Sequence, residues 1–229
     1  MATYTISVIN ESSQRQRFVL YQASPFGDAE DGFGNVWMQV TVNEGGDTQN
    51  LKITAEYFAW AGSTETPLQS GVVVSGGKAL PATLGRGDPN GMRLPGTFQT
   101  AVHEQLRQFN VNIQEIDPTA PAGAYTIHTR DDFDVGDTRV LIGLGKKDQN
   151  GRSIPVASLN PLPNTRYNLT PILKGVIAVN TSSSVGEALA YQAISDMPGV
   201  IDFSSGKGQG KFVAVVIFTA RGKFEVDYA

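Results

Sequence analysis

Alternation of apolar and polar residues with a period of two is the feature that most limits what this chain can fold into. In "YTISVIN", residues 4 to 10, Tyr4, Ile6 and Val8 fall on one side and Thr5 and Ser7 on the other, as in a half-buried strand. The same pattern marks strands near 36–42, 51–60, 109–116, 124–132, 138–145, 167–180 and 212–219. Between them lie the turn clusters "NEGGD", "GDPNG", "DPTAPAG", "DVGD", "DQNG", "NPLPN" and "SSGKGQG", rich in residues that take positive φ or bond their own backbone. Many short strands joined by Gly and Pro turns predict an all-β fold: a β-sandwich, jelly-roll-like in its connectivity, with one or two short helices.

A chain of 229 residues fits one such sandwich over 1–229, or two intimately packed β subdomains with 61–166 as a central region. The two ends resemble each other. Residues 10–23 and 180–193 align without a gap and share Asn10/Asn180, Ser12/Ser182, Ser13/Ser183, Tyr21/Tyr191, Gln22/Gln192 and Ala23/Ala193. Chance matches of this grade arise in any chain of this length, so common origin is one of two explanations. The local meaning holds under both: a strand ending in Asn-x-Ser-Ser closes a turn by side-chain bonds to its own backbone, and the chain returns as a second element.

Two segments break the alternation. In "TFQTAVHEQLRQFN", Phe98, Val102, Leu106 and Phe109 recur at helical spacing and predict a short amphipathic helix. In 184–194, "SVGE" has the form of a capping box, yet its counterpart near the N-terminus reads as a strand. Strand or irregular structure is expected there.

Composition removes several functions. The absence of cysteine excludes disulfides, thiolate nucleophiles and cysteine metal sites. A net charge of −4, from 18 basic and 22 acidic residues mixed along the chain, gives no stripe for a phosphate backbone, so nucleic acid is not expected as a partner. The N-terminus reads directly into a strand without a leader pattern, and "FVAVVIF" at 212–218 is far too short to span a membrane. A cytoplasmic location is the expectation.

Catalytic signatures are weak. His103 and His128 have no serine elbow nearby, and "SSGKGQGKF" and "GLGKKDQNG" lack the spacing and context of a phosphate loop, so both read as hairpin loops. A carboxylate pair acting across a cleft leaves no linear trace and stays open. In "RDDFDVGDTR", Asp132, Asp134 and Asp137 offer the hard oxygen ligands that Ca²⁺ prefers, with Asp28, Glu30 and Asp31 as a second acidic turn. The competing explanation is a tight hairpin centred on Val135 and Gly136, with Asp132 opposite Arg139.

The most suggestive surface is aromatic. Strict alternation puts Val36, Met38, Val40 and Val42 on one face of their strand and leaves Trp37 with Gln39 and Thr41. In "LKITAEYFAWAG" it groups Leu51, Ile53, Ala55, Tyr57 and Ala59, leaving Phe58 and Trp60 with Lys52, Thr54 and Glu56. If "NEGGDTQ" makes these strands a hairpin, Trp37, Phe58 and Trp60 share a polar face suited to stacking a sugar or docking a protein. Alternatively, a loop or second sheet covers them. Arg86-Gly87-Asp88 resembles an integrin-binding tripeptide, and Asn10, Asn168 and Asn180 open glycosylation sequons, both relevant only to a secreted chain.

Three functions follow. The first is a non-catalytic sandwich acting through surface binding or self-association, with both terminal strands near sheet edges. The second is a lectin-like carbohydrate binder using Trp37, Phe58 and Trp60, with Ca²⁺ at Asp132, Asp134 and Asp137. The third is a carboxylate-based hydrolase or lyase.

Overall fold

The structure, a computed structural model, describes residues 2–27, 32–85, 96–105, 108–116, 120–136, 139–180, 182–195, 197 and 199–229. In chain order the described strands are β1 (Thr3–Asn10), β2 (Gln16–Gln22), β3 (Phe33–Val42), β4 (Asp47–Thr54), β5 (Phe58–Ser63), β6 (Lys78–Pro81), β7 (Thr97–Gln105), β8 (Gln108–Ile116) and β9 (Tyr125–His128). They continue with β10 (Val140–Lys147), β11 (Ser153–Leu159), β12 (Arg166–Leu169), β13 (Lys174–Val179) and β14 (Ala188–Ala190). The short helix α1 (Tyr191–Ser195) precedes β15 (Gly199–Asp202), β16 (Val213–Phe218) and β17 (Phe224–Tyr228). The expected all-β sandwich with a short helix is what forms.

Three sheets build it. One runs β17-β16-β1-β4, the largest runs β15-β13-β2-β3-β11-β10-β5-β6 with β14 added on β3, and the third runs β12-β9-β7-β8. A single apolar core joins Ile6 and Val8 of the first, Leu20, Met38 and Ile142 of the second, and Phe98 and Ile127 of the third, so the two smaller sheets pack on one face of the large one. The opposite face has its own cover: Val19, Tyr21 and Val36 lie under α1 through Ile194, and Trp60 and Leu141 lie under Leu68 and Val74 of the 64–77 connection.

Strand parity explains most of this. In β1 the inward Ile6 and Val8 are buried and Thr5, Ser7 and Ile9 are half-exposed, as the alternation requires. Parity also explains the error at 97–110. That segment is not a helix; β7 and β8 pair antiparallel from Thr97 with Ile116 to Gln105 with Gln108. A spacing of four residues keeps a side chain on one face of a strand as well as of a helix, so Phe98 and Val102 fit both periods. The buried Thr100 between them completes the strand row.

Connections differ more from expectation than strands do. "NEGGD" does not close a hairpin, because β3 pairs with β2, β11 and β14 while β4 pairs with β1 in another sheet. The step from β1 to β2 likewise passes between sheets. These two crossings meet at one corner, where the buried Asn10 amide donates to Gln14 O at 2.8 Å and Val42 O at 3.2 Å and accepts from Ser12 N at 3.1 Å. Gly46 N donates to Asn10 O at 2.7 Å, and Gly45 and Gly46 take φ of 77° and 89° to make the bend, a region closed to most side chains.

The similarity of the two ends is confined to this turn chemistry. Asn180 Oδ1 accepts from Ser182 N at 2.9 Å and Ser183 N at 3.0 Å, the counterpart of Asn10 with Ser12. Beyond the turns the paths diverge: one copy becomes β2, the other becomes β14 and α1. Glu187 Oε2 does accept from Ser184 N at 3.0 Å, half of a capping box, but Ala188–Ala190 pair with β3 instead of starting a helix. Of the two terminal strands expected at sheet edges, β17 is at one and β1 is not. β1 is interior, held in parallel by β16 and antiparallel by β4, and the edges of its sheet are β4 and β17.

Removing the Asn10 amide takes a donor from the buried Val42 carbonyl and an acceptor from the Ser12 amide hydrogen, while Gln14 O keeps the Ser12 hydroxyl at 2.9 Å. Asn10→Ala is expected to lower unfolding free energy by about 2–4 kcal/mol, against about 1 kcal/mol for Asn180→Ala at the half-exposed equivalent. Urea denaturation midpoints of the two variants check the difference.

Candidate functional site

The three aromatics expected on a polar face are buried, with Trp37 2 %, Phe58 8 % and Trp60 1 % exposed. Each has its own reason. Along β2 and β3, Leu20 pairs with Met38 and Tyr21 with Val36, so Trp37 is the extra residue of a β-bulge. A bulge reverses parity, which turns Trp37 into the main core beside Met38 and sends Val36 to the opposite face. Trp60 does lie opposite Ala59 and Ala61, as alternation requires, but Leu68 and Val74 close over it. Between β4 and β5, residues 55–57 leave the ladder, so the run 51–60 is two strands in two sheets and Phe58 is covered. No exposed face shared by these rings exists.

A lysine takes the central place instead. Val140, Ile142 and Leu144 of β10 point into the core, and the next residue of that row is Lys146, with 0 % of its surface exposed. Its Nζ donates to Thr54 O at 2.7 Å and stands 4.4 Å from the Tyr57 ring centroid and 4.9 Å from that of Trp37. Two aromatic faces thus partly replace water around the ammonium. Burial holds its pKa down at about 7, with an opposing pull from Glu56. Trp37 is fixed in turn by its Nε1, which donates to Lys147 O at 2.9 Å.

Two hollows flank this centre. One, of about 350 Å³, is bounded by Glu56, Tyr57, Phe58, Pro81, Ala82 and Lys147, with Lys147 Nζ 3.5 Å from Glu56 Oε2 at its rim. Burial pushes Tyr57 up to about 12. The other, of about 330 Å³, lies where Trp37, Met38 and Gln39 meet the β10–β11 turn. There Asp148 accepts from Asn150 N at 2.8 Å and Arg152 N at 2.9 Å and pairs with the Arg152 guanidinium at 2.9 Å. Those bonds hold its carboxylate below the usual range, against the opposing effect of its burial. Asp148 therefore shapes the turn; of "GLGKKDQNG", expected to be a hairpin loop throughout, only "DQNG" is loop, and residues 143–147 belong to β10.

Of the acidic candidates, Asp132 and Asp134 lie among the described residues. Asp132 Oδ2 accepts from Val102 N at 3.1 Å and lies 3.6 Å from Arg130 Nε, Asp134 is exposed, and Asp137, like Asp28, Glu30 and Asp31, lies outside the described residues. Among the described residues no three His, Cys, Asp or Glu side chains are placed to hold a metal ion. Val135 and Gly136 do form a turn, in the 129–139 connection between β9 and β10, which belong to different sheets. Arg86, Gly87 and Asp88 lie outside the described residues. The Asn10 amide is buried and fully engaged, which leaves it unsuited to carry a glycan. His128 lies on β9 opposite Arg166, and His103 on β7. Among the described residues no helix is long and apolar enough to cross a membrane.

Sequence reading missed Lys146, although the signal was present: the alternation of "VLIGLGK" carries the lysine onto the core side. Its displaced pKa has a sign that can be measured. Unfolded, the amine titrates near 10.5; between about 7 and 10 the unfolded chain holds more protons than the folded one, so stability rises with pH. Above 10 the unfolded Tyr57 ionises before the folded one and opposes the trend. Denaturation at pH 6, 7, 8 and 9 is expected to show Lys146→Met without the rise of about 1 kcal/mol per pH unit that the native chain gains above pH 7.

Comparisons with curated proteins and with solved structures return no significant match. One family model matches the chain from residue 1 to residue 229, that of RhiA. The corner at Asn10, the buried Lys146 and the two hollows therefore belong to a chain that is a member of the RhiA family.

Proposed function

We propose that this is a non-catalytic β-sandwich protein that works by self-association, using the outer face of the β17-β16-β1-β4 sheet. The supporting observation is the layout of that face. Pairing registers set three rows across it: Lys52, Thr5 and Val213; Asn50, Ser7, Val215 and Asp227; and Thr48, Ile9, Ile217 and Glu225. Ser7 Oγ donates to Asn50 Oδ1 at 2.6 Å within the second row. The centre is β-branched and half-exposed, one edge carries Lys52, and the other carries the exposed Glu225 and Asp227.

Such a face is self-complementary under one symmetry. A two-fold axis parallel to the strands lays β4 of one copy over β17 of the other row for row, so Asn50 faces Asp227, Thr48 faces Glu225, and each Lys52 reaches Asp227 from the adjacent row. An axis across the strands would set like charges together. Strand spacing gives about 400 Å² per copy, the low end for a specific interface, which fits a weak, concentration-dependent dimer. The space beneath this sheet is closely packed: the void between Ile6, Leu20, Trp37, Ile53, Ile201 and Phe203 amounts to about 10 Å³, too small to hold a substrate there.

Sedimentation velocity from micromolar to millimolar protein tests this. A dimer is expected that weakens with added salt, becomes monomeric in Lys52→Glu, and returns when Asp227→Lys is combined with it. A monomer at every concentration rejects the reading.

A further inference from the structure

We propose that the hollow beside β5 binds a small organic anion with a flat ring, the ring lying on Tyr57 and the carboxylate directed to Lys147. This goes beyond self-association and uses a different surface. The half-exposed Tyr57 ring borders an opening of about 350 Å³, while the ammonium of Lys146, with no exposed surface, stands 4.4 Å from its centroid. Since Nζ is fully buried, the cation is on the inner side of the ring. A cation drawing on the π electrons from there makes the outer side a poor seat for another cation and a better one for an electron-rich ring.

Charge around the hollow selects the same ligand. Glu56 is paired with Lys147, whose side chain is twice as exposed, 42 % against 21 %, so the positive end is the one offered to solvent. Lys146 adds a second positive charge when protonated and has one oxygen acceptor, Thr54 O, for three donor positions. An anion in the hollow stabilises the protonated form. The groups that bear on that titration are Glu56 and Tyr57 from the 55–57 connection, Lys147 on β10 and, through Tyr57, Tyr4 on β1; Trp37 faces it from β3 without titrating. Because the free amine titrates at about 7, binding takes up a proton above that pH, and affinity falls as pH rises.

Benzoate, with neutral benzyl alcohol as its control, tests the assignment by saturation-transfer NMR titration of the full chain at pH 6 and pH 8. Benzoate is expected to bind at pH 6 and to weaken about fivefold by pH 8, the change that a one-unit rise in the Lys146 pKa produces. Lys146→Met should keep benzoate binding but remove its pH dependence, Lys147→Gln should weaken benzoate without affecting benzyl alcohol, and Tyr57→Phe should retain binding that Tyr57→Ala loses. Benzoate binding no tighter than benzyl alcohol, or unchanged in both Lys147→Gln and Tyr57→Ala, overturns the proposal. Dimer formation is read separately by sedimentation, so failure of either assignment leaves the other standing.

Discussion

The sandwich depends on one side-chain amide. Of its first four strands, β1 and β4 lie in one sheet and β2 and β3 in another, so the chain must cross the gap twice at the same corner, where backbone groups have left one ladder without joining another. Buried groups of that kind need partners. Asn10 supplies them for both crossings at once, bonding its own turn through Ser12 and Gln14 and reaching the end of β3 at Val42. The registers of β1 against β4 and of β2 against β3 are anchored from that point, and with them the bulge that turns Trp37 inward.

What could be read from the residues was parity, and what could not was everything that resets it. The strand rows of β1, β8, β10 and β16 lie where alternation puts them, and Trp60 is on the side of β5 that it requires. The Trp37 bulge has no local mark in "FGNVWMQV"; it exists only against the shorter path of β2, which is a tertiary fact. The cover over Trp60 comes from a connection whose Leu68 and Val74 show no periodicity. At 97–110 the residues themselves were ambiguous, because a four-residue spacing satisfies both a helix and a strand. Of the candidate site, Lys146 was legible from parity and Tyr57 was not, since its exposure depends on the break between β4 and β5.

The lysine shows how the fold accommodates a charge at a core position. An ammonium in an apolar interior is costly unless other groups replace water. Here one carbonyl and two ring faces do so incompletely, and the depressed pKa reflects the shortfall. The same arrangement places a titrating group directly beneath a surface ring. Core and surface are therefore coupled at this point, whereas the outer face of the β17-β16-β1-β4 sheet is backed only by neutral side chains of the inner row such as Ile6, Val8, Ala214 and Val216.

The parallel pairing of β1 with β16 joins Thr5 to Val213, almost the whole described chain apart. During synthesis on a ribosome, β1 and β4 emerge early and can form a ladder together, but the other side of β1 stays open until β16 has been made. Until then, its backbone donors and acceptors on that side face outward beside Ile6 and Val8, an unpaired edge of the kind that other nascent chains extend. Closure of that edge brings together residues far apart in sequence, which makes it a slow kind of contact to form. This geometry makes completion of the sheet wait for the synthesis of β16.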